Sequence, residues 1–280
     1  MSRLGLKSFV MGIVFLFVAV TTDIVMAEEG ILRMATTTST DNTGLLDYLA
    51  PRFKEATGIE LQWVAVGTGK ALELGKNCDV DVLLVHAPEA EKKFVSEGYG
   101  VDRREVMYND FVIIGPSDDP AGIAGMNPVE ALKRIAAKKA IFVSRGDNSG
   151  THKKEMSLWK EAGIEGIDRA SWYVQTGQGM IATINVAAER GGYTLADRGT
   201  YITYQHNLGD KASLVILVEG DKRLFNQYSV IAVNPDHCPK VHYEKARRFI
   251  EWIVSPEIQK AIGDYRMLGK PLFVPNAGRN

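Results

Sequence analysis

The chain has 280 residues, 45% of them hydrophobic and 24% charged, the values of a packed globular protein; they exclude disorder, collagen-like repeats and a coiled-coil rod. Its 33 basic and 34 acidic side chains leave a net charge of -1, so no global positive field favours nucleic acid or anionic lipid. Two cysteines exclude a disulfide scaffold.

Arg3 and Lys7 precede an unbroken run of apolar residues and Gly over 9–20, followed by Asp23 and then Val25-Met26-Ala27. A basic start, a short apolar core and a small residue at its end are the layout of a secretory signal peptide. The run is shorter than the roughly 20 residues that span a bilayer. Cleavage is expected after Ala27, giving a soluble, periplasmic product with no membrane insertion.

From there, short apolar strands alternate with amphipathic helices, which predicts α/β layers with mainly parallel sheets. Residues 31–35 read as a strand, and 42–57 as a helix with Leu45, Leu46, Leu49 and Phe53 on one face. Strands follow at 59–66 and 81–85, then a helix at 88–97 with Pro88 in its first turn. Residues 111–115 form a strand running into a turn-rich crossing at 116–120. A second series reads helix 128–138, strand 140–143, helix 150–162, strand 172–174, helix 180–189 and strands 193–195 and 214–218. The strand 228–233 runs back, and helices 243–254 and 256–263 close the chain. One α/β series interrupted by another predicts two lobes joined by two crossovers: a first lobe from 28–112 and 228–280, a second from 113–227. Such a fold holds a ligand cleft between lobes, at the C-terminal ends of strands.

Four handovers from strand to helix share one chemistry. They are Thr36-Thr37-Thr38-Ser39-Thr40, Gly67-Thr68-Gly69-Lys70, Ser144-Arg145-Gly146-Asp147-Asn148-Ser149-Gly150-Thr151, and Thr176-Gly177-Gln178-Gly179 before the helix that carries Thr183. Helix starts expose unpaired N–H groups and a partial positive charge, and hydroxyls add donors without charge. Each alone is what capping requires, but five hydroxyl residues in a row exceed one cap. Arg145 adds a planar fork suited to oxygen pairs. Together they predict an oxyanion site built from Thr38, Ser39, Thr68, Ser144, Arg145, Ser149 and Thr183, with Asp147 orienting Arg145.

Competing motifs fail on their spacing. Lys70 is followed by Ala71, and Val64 stands where a nucleotide-binding loop needs Gly. Gly177-Gln178-Gly179 with Ala182 and Asp197 imitates a dinucleotide fingerprint but follows only a three-residue strand. Ser149 lacks the flanking glycines of a hydrolase elbow. His237, Cys238 and His242 have no second ligand pair to make a metal set, and His86, His152 and His206 show no acid–base partner. Cys78 and Cys238 are free to pair in an oxidising compartment, which spacing alone does not decide.

The threonine run, Val66-Gly67-Thr68-Gly69, the 144–151 loop and Tyr193-Thr194-Leu195-Ala196-Asp197-Arg198-Gly199-Thr200-Tyr201 together resemble the tungstate-binding proteins of bacterial ABC importers, the TupA family. The resemblance implies a type II periplasmic-binding-protein fold, no enzymatic activity and no cofactor. It implies tungstate, and possible molybdate, as ligand, delivered to an ABC transporter permease; a monomer is expected. The 145–151 segment is also similar to the anion loop of periplasmic phosphate-binding proteins, where a carboxylate after an early strand accepts the phosphate proton. Here His86-Ala87-Pro88 follows that strand, with no Asp or Glu at its exit. An all-donor pocket suits tungstate, molybdate or sulfate, which bring no proton. The alternative is an exported hydrolase of phosphate or sulfate esters, for which the sequence offers no nucleophile–base pair.

Overall fold

The computed structural model describes residues 30–278, so the export segment and Ala27 lie outside the described residues. Lobe 1 starts with β1 (Gly30–Thr37), α1 (Thr38–Asp41), α2 (Leu45–Thr57), β2 (Ile59–Val66), α3 (Thr68–Lys76), β3 (Val82–Val85) and α4 (Pro88–Ser96). β4 (Gly100–Pro116) carries the chain into lobe 2. There follow α5 (Pro128–Lys138), β5 (Phe142–Ser144), α6 (Gly150–Glu161), β6 (Tyr173–Gln175), α7 (Met180–Glu189), β7 (Thr194–Asp197), α8 (Arg198–Leu208) and β8 (Leu214–Val218). β9 (Phe225–Val233) returns to lobe 1. It is completed by α9 (Tyr243–Ile253), α10 (Pro256–Asp264), β10 (Arg266–Met267), β11 (Lys270–Pro271) and β12 (Val274–Pro275).

The main sheet runs β12-β4-β9-β3-β1-β2, with β7 and β8 pairing the far half of β4. β1 is parallel to β2 and β3, with Thr37 opposite Val66 and Thr36 opposite Leu84. Their C-terminal ends therefore share one edge, where helices begin. β9 runs antiparallel to β3 and β4, and β7 and β8 run antiparallel to β4, so the sheet is mixed rather than mainly parallel. The reason is the crossing: two strands that leave and re-enter lobe 1 side by side must oppose each other.

Each lobe has its own apolar core. The leucines and Phe53 of α2 are buried as their spacing predicts, and Phe53 meets Phe249 edge-on at 5.0 Å. In lobe 2, Phe142 and Trp159 pack edge-on at 5.1 Å. Among the described residues no helix is long and apolar enough to cross a membrane.

Besides the short strands β10 to β12, which were not expected, three elements depart from the sequence expectation. The helix expected over 42–57 starts only at Leu45, because Gly44 takes a left-handed conformation at φ 72 as its N-cap, and a separate single turn, α1, precedes it. β4 has 17 residues instead of the five expected at 111–115. Its first half is charged (Asp102, Arg103, Arg104, Glu105), yet Arg103 finds partners: its Nε donates to Glu91 at 2.9 Å and its Nη2 to Ser229 at 2.8 Å. α8 was not expected as a helix, since its Thr, Tyr and Ile residues favour strands; Asp197 caps it by accepting from the Thr200 N–H at 2.8 Å.

Cys78 and Cys238 form a disulfide between residues 160 apart, joining the end of α3 to the loop after β9. Cys238 is thus spent as a ligand. Its neighbour His237 places Nε2 2.9 Å from the Lys76 carbonyl, and the His242 N–H donates to Asp81 at 2.9 Å.

Candidate functional site

The lobe 1 edge carries a hydroxyl cluster. Thr37 Oγ1 lies 2.6 Å from Thr40 Oγ1, 3.1 Å from Ser39 Oγ and 2.9 Å from His86 Nε2; Ser39 Oγ is 3.0 Å from the same nitrogen. Trp63 Nε1 donates to Asp41 at 2.7 Å and pins the turn. Thr38 and Ser39 are exposed, while Thr36, Thr37 and Thr40 are buried. Thr68 is the first residue of α3, beside them across the β1/β2 pair.

His86 stands at the exit of β3, where the sequence offered it no acid–base partner; its three hydrogen-bond partners are all neutral. Besides Thr37 and Ser39, Nδ1 faces Asn226 Oδ1 at 2.9 Å, while Asn226 Nδ2 donates to Asn109 Oδ1 at 2.8 Å. The amide thus offers its oxygen to His86, so Nδ1 carries the proton and Nε2 accepts from the hydroxyls. The ring stacks on Tyr228 at 4.7 Å. Burial pushes the His86 pKa down, partly opposed by the Asn226 hydrogen bond and by the charge of Asp197. That charge sits at the end of β7 in lobe 2, so the two lobes approach each other beside His86 at the crossover. The signal in the sequence was a histidine directly after a fully apolar strand, where parallel sheets place ligands.

A neutral imidazole in this frame has a pH signature. A folded pKa below the unfolded value, about 6.5, means the unfolded chain binds the proton more readily. Stability from His86 is therefore full above that pH and lost as pH falls below it. Comparing wild type with His86→Gln by thermal melts, we expect the difference to move in the variant's favour on acidification. A difference flat with pH would show that His86 is not held neutral.

In lobe 2, β5 and β6 are parallel, and Ser144 lies opposite Gln175. The Thr176 N–H donates to the Ser144 carbonyl at 3.0 Å and the Gly177 N–H to the Arg145 carbonyl at 2.8 Å, so two handovers are stitched into one surface. Gly146 takes φ 62, and a Cβ there would sit 2.8 Å from Gln175, so only glycine lets the loops approach. Arg145 Nε donates to Asp147 at 3.1 Å and Nη2 to the same oxygen at 2.5 Å. Burial opposes it, but hydrogen bonds from Ser149 and Arg145 hold the Asp147 carboxyl below its usual range. Ser149 caps α6, accepting from the His152 N–H at 3.3 Å.

The seven residues expected to hold an oxyanion divide in two. Thr38, Ser39, Thr68, Arg145 and Ser149 are reachable at the facing edges. Ser144 and Thr183 are fully buried. Ser144 Oγ donates to Glu155 Oε2 at 2.7 Å, and Thr183 Oγ1 donates to the Gly179 carbonyl at 3.1 Å and lies 2.9 Å from Thr176 Oγ1. In this state both hydroxyls brace the loops from beneath. Sequence reasoning missed Glu155. It is buried on α6, where Trp159 Nε1 and the Tyr173 hydroxyl also donate to it. Burial raises its pKa to about 7, against the pull of those three donors.

The sequence matches the model of the PBP superfamily domain over residues 26–257. It is 52% identical over 240 residues to the tungstate-binding protein TupA of Campylobacter jejuni, covering 85% of this chain and 88% of that protein. It is 50% identical over 256 residues to TupA of Peptoclostridium acidaminophilum, covering 90% and 87%. The solved structure of TupA from Desulfovibrio alaskensis superposes with a TM-score of 0.86 at 65% identity, covering 88% of this chain and 99% of that one. A two-lobed α/β fold with hydroxyl-rich strand ends facing across its crossover, and this level of identity over nearly the whole chain, place the protein in the PBP superfamily and, within it, in the family of the tungstate-binding proteins TupA.

Proposed function

We propose that this chain captures tungstate, and molybdate as its near-isostere, in the cleft between lobes and delivers it to an ABC transporter permease. The observation that carries the reading is the pair of facing edges: hydroxyls and helix starts on both, with the Arg145 guanidinium among them and a neutral imidazole where a proton-accepting carboxylate would suit phosphate. The relatives at 50–65% identity are named for tungstate binding, which favours tungstate over sulfate. Those names describe binding proteins, so ester hydrolysis, the alternative open to the sequence, has no observation in its favour. The chain acts as an exported monomer, with its leader removed after Ala27; N-terminal sequencing of the secreted protein tests the position.

Calorimetric titration with tungstate, molybdate, sulfate and phosphate decides the ligand. Tungstate should bind and phosphate should not; phosphate binding without tungstate binding would overturn the assignment. Ligand that bridges both edges also draws the lobes together, with β4 and β9 absorbing the change. At about 100 times its dissociation constant, tungstate should add about 2.7 kcal/mol of stability and raise the Tm. The radius of gyration in solution scattering should fall; an unchanged curve at saturation would mean a rigid, preformed site.

A further inference from the structure

Among the described residues Glu155 has no cation beside it. The groups that face it are Ser144 on β5, Trp159 on its own helix and Tyr173 on β6, all neutral donors, with Asp168 acting only on Tyr173 from farther off. It lies one turn beyond the start of α6, on the stripe Thr151, Glu155, Leu158 and Trp159 that faces the core. A buried carboxyl held only by neutral donors is costly as an anion. It also stands beneath the loop assigned to a doubly charged ligand, so ligand and carboxylate repel.

The geometry at Ser144 turns that repulsion into a choice of donor. A hydroxyl has one proton. While Glu155 is a carboxylate, that proton points at Oε2, 2.7 Å away, and the Gly146 N–H fills one Ser144 lone pair at 3.2 Å. Ser144 then has nothing to donate to the loop. Once Glu155 is protonated, its O–H donates to Ser144 Oγ, and the serine proton is free to turn towards the loop and the anion on it.

We propose that Glu155 is the proton-linked positioning residue of this site: when a tetrahedral dianion seats on the 144–151 loop, Glu155 takes one proton from solvent and reverses its hydrogen bond with Ser144, so that Ser144 becomes a donor to the ligand. The inference rests on the oxyanion reading of the site and adds to it a coupling between binding and pH. The raised pKa of Glu155, about 7, places the change in the neutral range.

The test is titration of tungstate into the mature protein in buffers of small and large ionisation enthalpy, from about pH 6 to about pH 8.5, for wild type and Glu155→Gln. In wild type, proton uptake should approach one per tungstate near the alkaline end and fall towards zero near pH 6. The apparent Kd should rise by up to about tenfold per pH unit above pH 7. In Glu155→Gln both dependences should vanish while binding persists. Binding in wild type with no proton uptake at alkaline pH overturns the proposal, as does uptake that survives in Glu155→Gln. Wild type that binds no tungstate at all overturns the oxyanion reading first and the coupling with it. Should the variant not fold, infrared difference spectra of wild type decide the matter: tungstate should add a protonated-carboxyl band at alkaline pH, and its absence overturns the proposal.

Discussion

Replacing Arg145 by alanine should weaken tungstate binding by about 30-fold or more, a larger loss than for any single Ser or Thr change at the site. A charge-assisted hydrogen bond is about twice as strong as a neutral one, and truncating one partner of a buried charged pair costs about 2–5 kcal/mol. The guanidinium sits with its side chain 19% exposed, Nε and Nη2 on Asp147, and Nη1 with no hydrogen bond among the described residues. Asp147 thus holds the fork while one nitrogen is left for an incoming oxygen. Arg145→Lys keeps the charge but loses the planar fork and should fall between. The competing role is purely structural, since the same pair also clasps the loop. Melts of the ligand-free proteins separate the two: a large loss of stability with near-normal tungstate affinity in the folded fraction would show Arg145 to be a strut.

Removing the Cys78–Cys238 bridge, by the double change Cys78→Ser and Cys238→Ser, should cost about 2–5 kcal/mol and lower the Tm by roughly 4–20 °C. The bridge closes a loop of residues 160 apart that contains all of lobe 2, and chain-entropy arguments give the largest stabilisation to the longest loops. Cys238 is also buried among Leu72, Val80, Phe94 and Val233, so part of the loss is packing. The bridge lies beyond the C-terminal end of α3, whereas Thr68 stands at that helix's start, so tungstate affinity near that of wild type is expected in the folded variant. A Tm drop under about 2 °C would show that packing alone holds the two segments together.

The strand-to-helix handovers were legible because their chemistry is local: hydroxyls, glycines and an arginine at helix starts read the same in sequence and in space. The helix face of α2 was legible for a similar reason, since a period of 3.6 needs no partner to be seen. The first half of β4 was not. Its charged residues resemble a loop until Glu91 and Ser229 are brought to Arg103 by other elements. The depth of Ser144 and Thr183 was likewise hidden, because a hydroxyl at a strand end faces the ligand or the core according to what packs beneath it. Glu155 did leave a trace. It stands four residues after Thr151 and four before Trp159, an acid on an otherwise core-facing stripe, and such a residue must find donors or take a proton.

Asp110 on β4 pairs directly with Phe225 on β9, and from there the two strands run antiparallel back into lobe 1. At that point the chain has the form of a β-hairpin whose turn has been replaced by an entire second lobe. An insertion at a hairpin tip leaves the register of the host strands untouched, and the host's two halves stay laced by their ladder and by the disulfide beyond it. Lobe 1 is therefore a host that a two-residue turn between Asp110 and Phe225 would close, and lobe 2 is a graft whose ends already lie one strand spacing apart. Two modules joined in this way can diverge separately, one keeping its edge of hydroxyls while the other changes the cation and helix starts it presents across the cleft.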